Sequence, residues 1–426
     1  MKYTLTPLLG IILAVTSCTP IAQSSVNSES NPKMLKLIDI AYEPEIKTIQ
    51  LSPLNAPLQP AVTPMGKWDL LLRFDDLRSQ QEPYYARVIH CNYDWTKSEL
   101  QDLDFMAVYN EFPITHFEYS VDTHIPYVHY TFPLPPVKLP GNYVLLVYRG
   151  GNKDDIVLTK RFMVYTNQVT FKQEGNLIGP STIANVNQQL NFTVDYKDVN
   201  VLNALVDIHV NIGQNHRWDN MIKDARPSFS RDIEKELEYR FFEESKMFSG
   251  GSEFRFFDLR SLNYPGRNVA SVNKNVKPYE VYIAKDKSHG DEAYSQIEDM
   301  NGNFMIDNYD YRDLAFTNYT NVNFALASSR INGDVYVVGA FCNWNLNSEN
   351  KMQYDSVQSI YTSRIMLKQG WYDYQYVVKS SELPYLYFEG SHFETENYYE
   401  IFVYHKPFQP RADLLIGYLR LEKNPR

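Results

Sequence analysis

Cysteine is nearly absent. There are three in 426 residues, of which Cys18 ends an apolar N-terminal run and only Cys91 and Cys342 fall in the body of the chain. Two distant thiols exclude a disulfide framework. One bridge is chemically allowed in an oxidising compartment, but unpaired and largely buried thiols are the plainer expectation. A basic excess is missing too, with 41 Lys and Arg against 51 Asp and Glu and a formal charge of -10. Without a positive field for a phosphate backbone, nucleic acid is excluded as a partner. The mean hydropathy of -0.41 is too polar for a polytopic membrane protein, and a hydrophobic content of 44% is too high for disorder. No G-x-S-x-G or H-E-x-x-H motif occurs, and no motif recurs at the ~20 to 50 residue period of a solenoid.

Aromatic residues are abundant. The 33 tyrosines and 23 phenylalanines outnumber the 18 glycines, and such side chains pack well on a pleated surface, so the composition leans toward β-structure. At roughly 150 residues per domain the chain has room for two or three domains, each able to bury a core.

The first 18 residues hold one basic residue, Lys2, and then the apolar run Leu8-Leu9-Gly10-Ile11-Ile12-Leu13-Ala14-Val15. This run is far shorter than the ~20 residues that cross a bilayer, and it reads as a signal peptide. It ends in Val15-Thr16-Ser17-Cys18, which resembles the lipobox of bacterial lipoproteins. That resemblance implies that Cys18 becomes the lipidated first residue of the mature protein. The alternative is an ordinary signal peptide in which Cys18 is incidental. Residues 19–34 are rich in Ser, Asn and Pro without periodicity, as expected of a flexible tether. Thr19-Pro20-Ile21-Ala22-Gln23 lacks the acidic cluster that sends related lipoproteins to the cell surface. A lipid anchor would therefore hold the protein on the periplasmic face of the outer membrane.

Short apolar or alternating runs recur between turn signals at residues 37–40, 68–74, 86–91, 127–132, 143–148 and 161–165. Their lengths and punctuation predict an antiparallel sandwich over 35–166. Runs at 190–196 and 205–210 open a second sandwich, expected over 167–310, and a third domain follows over 311–426. The expected fold is all-β, three consecutive antiparallel sandwiches with few short helices. Residues 220–225 and 233–242 are the best helix candidates.

The motifs that suggest chemistry are better explained structurally. Asp299-Met300-Asn301-Gly302-Asn303 begins like a calcium loop, yet Phe304 stands where an EF-hand needs its glycine. The expectation is instead a hairpin turn at Asn301-Gly302. His90-Cys91-Asn92-Tyr93-Asp94-Trp95 lacks a second ligand pair at zinc spacing, and it reads as a strand entering a turn, with Trp95 packing and Asp94 capping. His90 and Cys91 are neighbours on a strand and point to opposite faces, which argues against a Cys-His dyad. The glycine pair in Gly250-Gly251-Ser252-Glu253-Phe254-Arg255-Phe256-Phe257-Asp258 precedes no lysine or helix pattern, so a tight turn into an aromatic strand is expected. Carboxylates at Asp75-Asp76 and Glu394 to Glu396 cannot be paired from sequence. No catalytic residue, metal site or cofactor is expected.

A more specific pattern lies in the last third: residues 334–344, ending Gly339-Ala340-Phe341-Cys342-Asn343-Trp344, then Gly370-Trp371-Tyr372-Asp373-Tyr374-Gln375-Tyr376, then Thr395-Glu396-Asn397. It resembles the glycogen-binding, Ig-like module found with amylase-type enzymes and the AMP-activated kinase. The resemblance implies an Ig-like fold for 311–426, with Trp344 at the first sugar-stacking position and Thr395 and Asn397 at the polar-loop positions. Gln375 replaces the family's sugar-contacting lysine, and Tyr385-Leu386-Tyr387 offers no clear second tryptophan. Carbohydrate is therefore not expected as a partner, although a carbohydrate-binding lipoprotein is the competing reading. Taken in order, residues 85–95, 250–258, 339–344 and 395–397 resemble a Bacteroidota family, formerly a domain of unknown function, that includes the plug protein of the type IX secretion system. The resemblance implies a non-enzymatic plug or accessory subunit whose partner is the outer-membrane translocon barrel, closed at its periplasmic end. Trp344 and its neighbours are the candidate contact loop, unless the indole packs within its own domain.

Overall fold

The computed structural model describes residues 33–172, 178–180, 186–241 and 246–423. The signal peptide with Cys18 and most of the expected tether lie outside them. Helix among the described residues is confined to the single turns Asp102–Phe105 and Ala204–Asp207 and to 3₁₀ turns such as Ala340–Cys342. Residues 220–225 form no helix. The second helix candidate instead yields the strand Glu236–Arg240, entered through a turn in which Lys235 has φ 55°. Pairing with Asn187–Asp195 buries Leu237 and Tyr239, which outweighs the helix propensity of Glu234-Lys235-Glu236.

The first unit is a sandwich of two sheets. One runs Ile40–Ala41, Ile156–Tyr165, Gly141–Arg149, Tyr84–Cys91, Phe112–Ile114, with Val62–Pro64 parallel to Ile156–Tyr165; the other runs Ile46–Pro53, Leu70–Asp76, Val128–Pro133, His116–Tyr119. In Gly141–Arg149 only the last residue escapes full burial, because the strand is covered on both faces. Tyr143, Leu145 and Val147 enter the core between the two sheets, whereas Val144, Leu146 and Tyr148 enter a second core shared with Phe402, Tyr404 and Leu415. Alternation along a strand thus feeds two cores at once, and the second cements the first unit to the C-terminal strands. His90 sits against Phe105 and Tyr143 on one face while Cys91 joins the second core on the other, as their adjacency requires.

The other two units do not follow one another along the chain. Ile208–Gln214 pairs with Asn397–His405, which pairs with Leu414–Lys423, and this sheet faces Thr170–Lys172, Asn187–Asp195, Glu236–Arg240 and Phe229–Arg231 across one core. The third unit is built from the chain between: Arg255–Asp258, Gly370–Lys379, Phe304–Ile306 and Asp334–Val338 in one sheet, and Val269–Asn273, Glu280–Ile283, Tyr319–Ala327, Ile360–Lys368 and Gln353–Asp355 in the other. Its core includes Phe257, Val281, Phe324, Val337 and Tyr374. A division into 167–310 and 311–426 would cut both cores. The second unit is completed only when the chain returns at Asn397.

Asn301 and Gly302 have φ 52° and 81°, the left-handed pair expected of a tight turn. The strand that follows, Phe304–Ile306, pairs with Gly370–Lys379, and residues 291–300 form no strand. The turn is present without the hairpin. Trp95 packs at 5% exposure, and Asp94 Oδ1 accepts from the Thr96 amide at 2.9 Å, so the strand-to-turn reading of that motif holds.

Candidate functional site

The four residues singled out for sugar or partner contact are brought to the seam between the second and third units, and all are interior. Trp344 is 6% exposed, with Phe254 edge-on at 5.7 Å and the Arg217 guanidinium 4.0 Å above the ring. A Cβ at Gly302 would lie 2.4 Å from the indole, so the turn glycine is what lets the ring fit there. With its faces covered by the protein, this ring offers no platform for a sugar. Gln375 is 5% exposed, and it pairs with Val338 across the ladder.

Thr395 Oγ1 donates to the Gly251 carbonyl at 2.8 Å, and Asn397 Nδ2 donates to the Gly250 carbonyl at 2.8 Å and to Gln188 Oε1 at 3.1 Å. Asn215 Nδ2 donates in turn to Asn397 Oδ1 at 2.7 Å. The Gly250-Gly251 turn and the Thr395-Glu396-Asn397 motif, about 140 residues apart in sequence, are therefore two sides of one fastening. A Cβ at Gly250 would sit 2.0 Å from the His392 carbonyl oxygen, which explains a glycine at this close approach. The structure spends these polar groups on holding the two chain crossings together.

Sequence reasoning missed the groups that join the first unit to the others. Arg161 lies over Trp95 at 4.4 Å and Trp218 at 5.2 Å. Lys160 Nζ bonds both Asp39 Oδ2 and Asn343 Oδ1 at 2.8 Å, tying the first unit to the Trp344 turn. A cavity of about 130 Å³ remains where the three units meet, and Arg161, Trp218 and Trp344 are among its walls.

A second tie lies between the first and third units. Asp75 is fully buried; Lys368 Nζ and the Tyr319 hydroxyl each donate to its Oδ2 at 2.6 Å, and His129 Nδ1 lies 2.6 Å from Oδ1. Burial pushes the Asp75 carboxyl up, but Lys368 and His129 outweigh it and hold the group below its usual range. Burial draws the Lys368 ammonium below its usual range against the pull of Asp75, and the ammonium also caps the Tyr127 ring at 4.0 Å. The set mixes carboxylate, imidazole and amine, but its hydrogen bonds are made to one another across the seam. Asp76, the next residue, faces the opposite side and takes Arg78 Nε at 2.8 Å and the Tyr84 hydroxyl at 2.7 Å. The signal that could have found Asp75 is its place in the strand Leu70–Asp76, where adjacent acids end a run that is apolar apart from Arg73.

Cys91 and Cys342 are both free. Burial pushes the Cys91 thiol up to about 12, far from a reactive thiolate. Among the described residues no cluster of three or more His, Cys, Asp or Glu could hold a metal ion, and no helix is long and apolar enough to cross a membrane.

Against known proteins, residues 46–166 match the family model of the "Type 9 secretion system plug protein 1st domain". The match coincides with the first sandwich. A crystal structure of a hypothetical protein from Parabacteroides merdae is similar at 28% identity with a TM-score of 0.84, covering 92% of this chain and 100% of that one. Its likeness extends over all three units. No curated protein matches the chain.

Proposed function

We propose that this chain is a non-enzymatic plug or accessory subunit that closes the periplasmic end of the outer-membrane translocon barrel of the type IX secretion system. The observation that carries the reading is the match of residues 46–166 to the plug first domain. The physical character of the molecule supports it. A body that blocks a pore must keep its shape under load, and cross-packed sandwiches resist bending. Here three such sandwiches are further locked by a shared core, by the Asp75–Lys368 pair and by the return of the chain to the second unit. A lipid on Cys18 would keep the plug beside the membrane and raise its effective concentration at the pore.

Two measurements test this. Affinity purification of the native protein from outer membranes should recover the large translocon barrel, and deletion should leave the outer membrane leaky to large solutes. Unaltered permeability together with an unaltered barrel complex overturns the reading. Replacing Cys18 by alanine should release the protein from membranes in cells lacking the barrel; unchanged fractionation rejects the anchor.

A further inference from the structure

The cavity of about 130 Å³ where the three units meet has room, at ~30 Å³ for each water of the liquid, for about four waters or one small ion. Six ionisable side chains line it: Asp39, Lys160, Arg161, His216, Arg217 and Glu400. Lys160 pairs with Asp39 at 2.8 Å, Arg217 with Asp219 at 2.6 Å, and His216 Nδ1 with Glu400 Oε2 at 2.7 Å. Arg161 has no carboxylate at ion-pair distance among the described residues. Asp39 is already spent, because its Oδ1 takes the Arg161 backbone amide at 2.7 Å and its Oδ2 takes Lys160 Nζ at 2.8 Å and Trp218 Nε1 at 3.2 Å. The Arg161 side chain donates from Nε to the Leu37 carbonyl at 2.8 Å, and neither terminal nitrogen has a protein acceptor among the described residues. Burial draws this guanidinium below its usual range, and a charge so placed is costly without a counterion.

The other two units each bring an unspent group to the same walls. His216, from the second, has its Nε2 buried without a hydrogen-bond partner. Since Nδ1 faces the Glu400 carboxylate, the cationic ring has a proton to donate from Nε2. Asn343, from the third, accepts Lys160 Nζ at Oδ1 at 2.8 Å, and its Nδ2 has no acceptor among the described residues. Three unspent donors, one from each unit, therefore border one cavity with a surplus of positive charge, in a chain whose formal charge is -10. Water would satisfy the hydrogen bonds but leave Arg161 without a counterion. Pro57 and Gln59 are exposed and also stand in the wall, so the cavity reaches solvent there.

We propose that this cavity binds a small tetrahedral oxyanion, phosphate or sulfate, held by the Arg161 guanidinium, His216 Nε2 and Asn343 Nδ2. Donors that come from three separate units suit an ion with oxygens on all sides, whereas a carboxylate presents both of its oxygens along one edge. The bound ion bridges all three sandwiches and adds to their rigidity. The site is independent of the plug reading and stands or falls without it.

The test uses the mature chain. Calorimetric titration with phosphate and with sulfate at constant ionic strength should show one site per chain. Arg161→Met, which leaves an apolar stem between the indoles, should weaken that binding at least tenfold. Asn343→Gly, which suits the left-handed backbone at φ 51°, should weaken it severalfold. Both ions also stabilise proteins through exclusion from their surfaces, so the decisive melt is the comparison: phosphate should raise the midpoint of the native chain further than that of Arg161→Met. A crystal of the native chain soaked in selenate should show an anomalous peak within hydrogen-bond distance of Arg161 and His216, a readout that needs no variant to fold. A cavity holding only water in that crystal, or a folded Arg161→Met that binds within twofold of the native chain, overturns the site. Acetate binding more tightly than phosphate overturns the tetrahedral ion.

Discussion

His90 is 1% exposed, packed edge-on against Tyr143 at 5.0 Å and beside Phe105 at 5.9 Å, and burial pulls its imidazole down to about 4 from 6.5. The folded state thus holds the ring neutral where the unfolded chain would take a proton. Its contribution is fully present above pH 6.5 and is lost as the pH falls through 4, to the extent of about 3 kcal/mol. Urea melts at pH 7 and pH 4.5 should show a smaller loss of stability for His90→Leu than for the native chain; equal losses would refute this. Lys368 presents the converse case, a charge whose partner cannot be left alone. Lys368→Met strands the Asp75 carboxylate in the interior and should cost about 3 to 5 kcal/mol. The double variant with Asp75→Asn should cost less than Lys368→Met alone, because no charge remains unpaired, and thermal melts of the two decide it. His90 was visible in sequence as a strand residue facing away from Cys91, but not as a buried one. The Asp75–Lys368 pair was not, since partners 293 positions apart leave no local signal.

At the level of elements, period-two alternation and turn residues located most strands of the first unit, because alternation along a strand and the turn residues at its ends are local signals. The strands Asn397–His405 and Leu414–Lys423 were harder to assign. They read as the end of the third domain, yet Tyr399, Ile401, Val403 and Ile416 complete the core of the second. A fragment spanning 167–310 lacks those side chains and the sheet that carries them. It should show no cooperative unfolding transition by circular dichroism, and a cooperative melt of that fragment would contradict the shared core. The candidate contact residues fared similarly. Trp344 was legible as a bulky aromatic in a turn, but the groups that cover it, Arg217 and Phe254, come from outside its own block. An exposed turn and a buried one look alike until the neighbouring strands are placed.

Over the whole molecule, aromatic side chains serve as mortar between units. Trp95 and Trp218 meet edge-on at 5.1 Å, Tyr165 meets Tyr418 at 5.0 Å and Tyr127 meets Tyr319 at 5.4 Å, each pair joining parts of the chain far apart in sequence. Such contacts hold three sandwiches as one body, which is the property a plug needs. The sequence by itself determined the all-β class, the net acidic charge and the turn chemistry at Asn301-Gly302 and Asp94-Trp95, because each depends on composition or on residues within a few positions of one another. Only the tertiary structure decided which strands share a core, that Trp344, Gln375, Thr395 and Asn397 are interior, and that Arg161, His216 and Asn343 border one cavity. Burial and the meeting of side chains at a seam depend on which distant strands arrive to cover a surface, and strand pairing across more than a hundred residues is encoded in no local pattern.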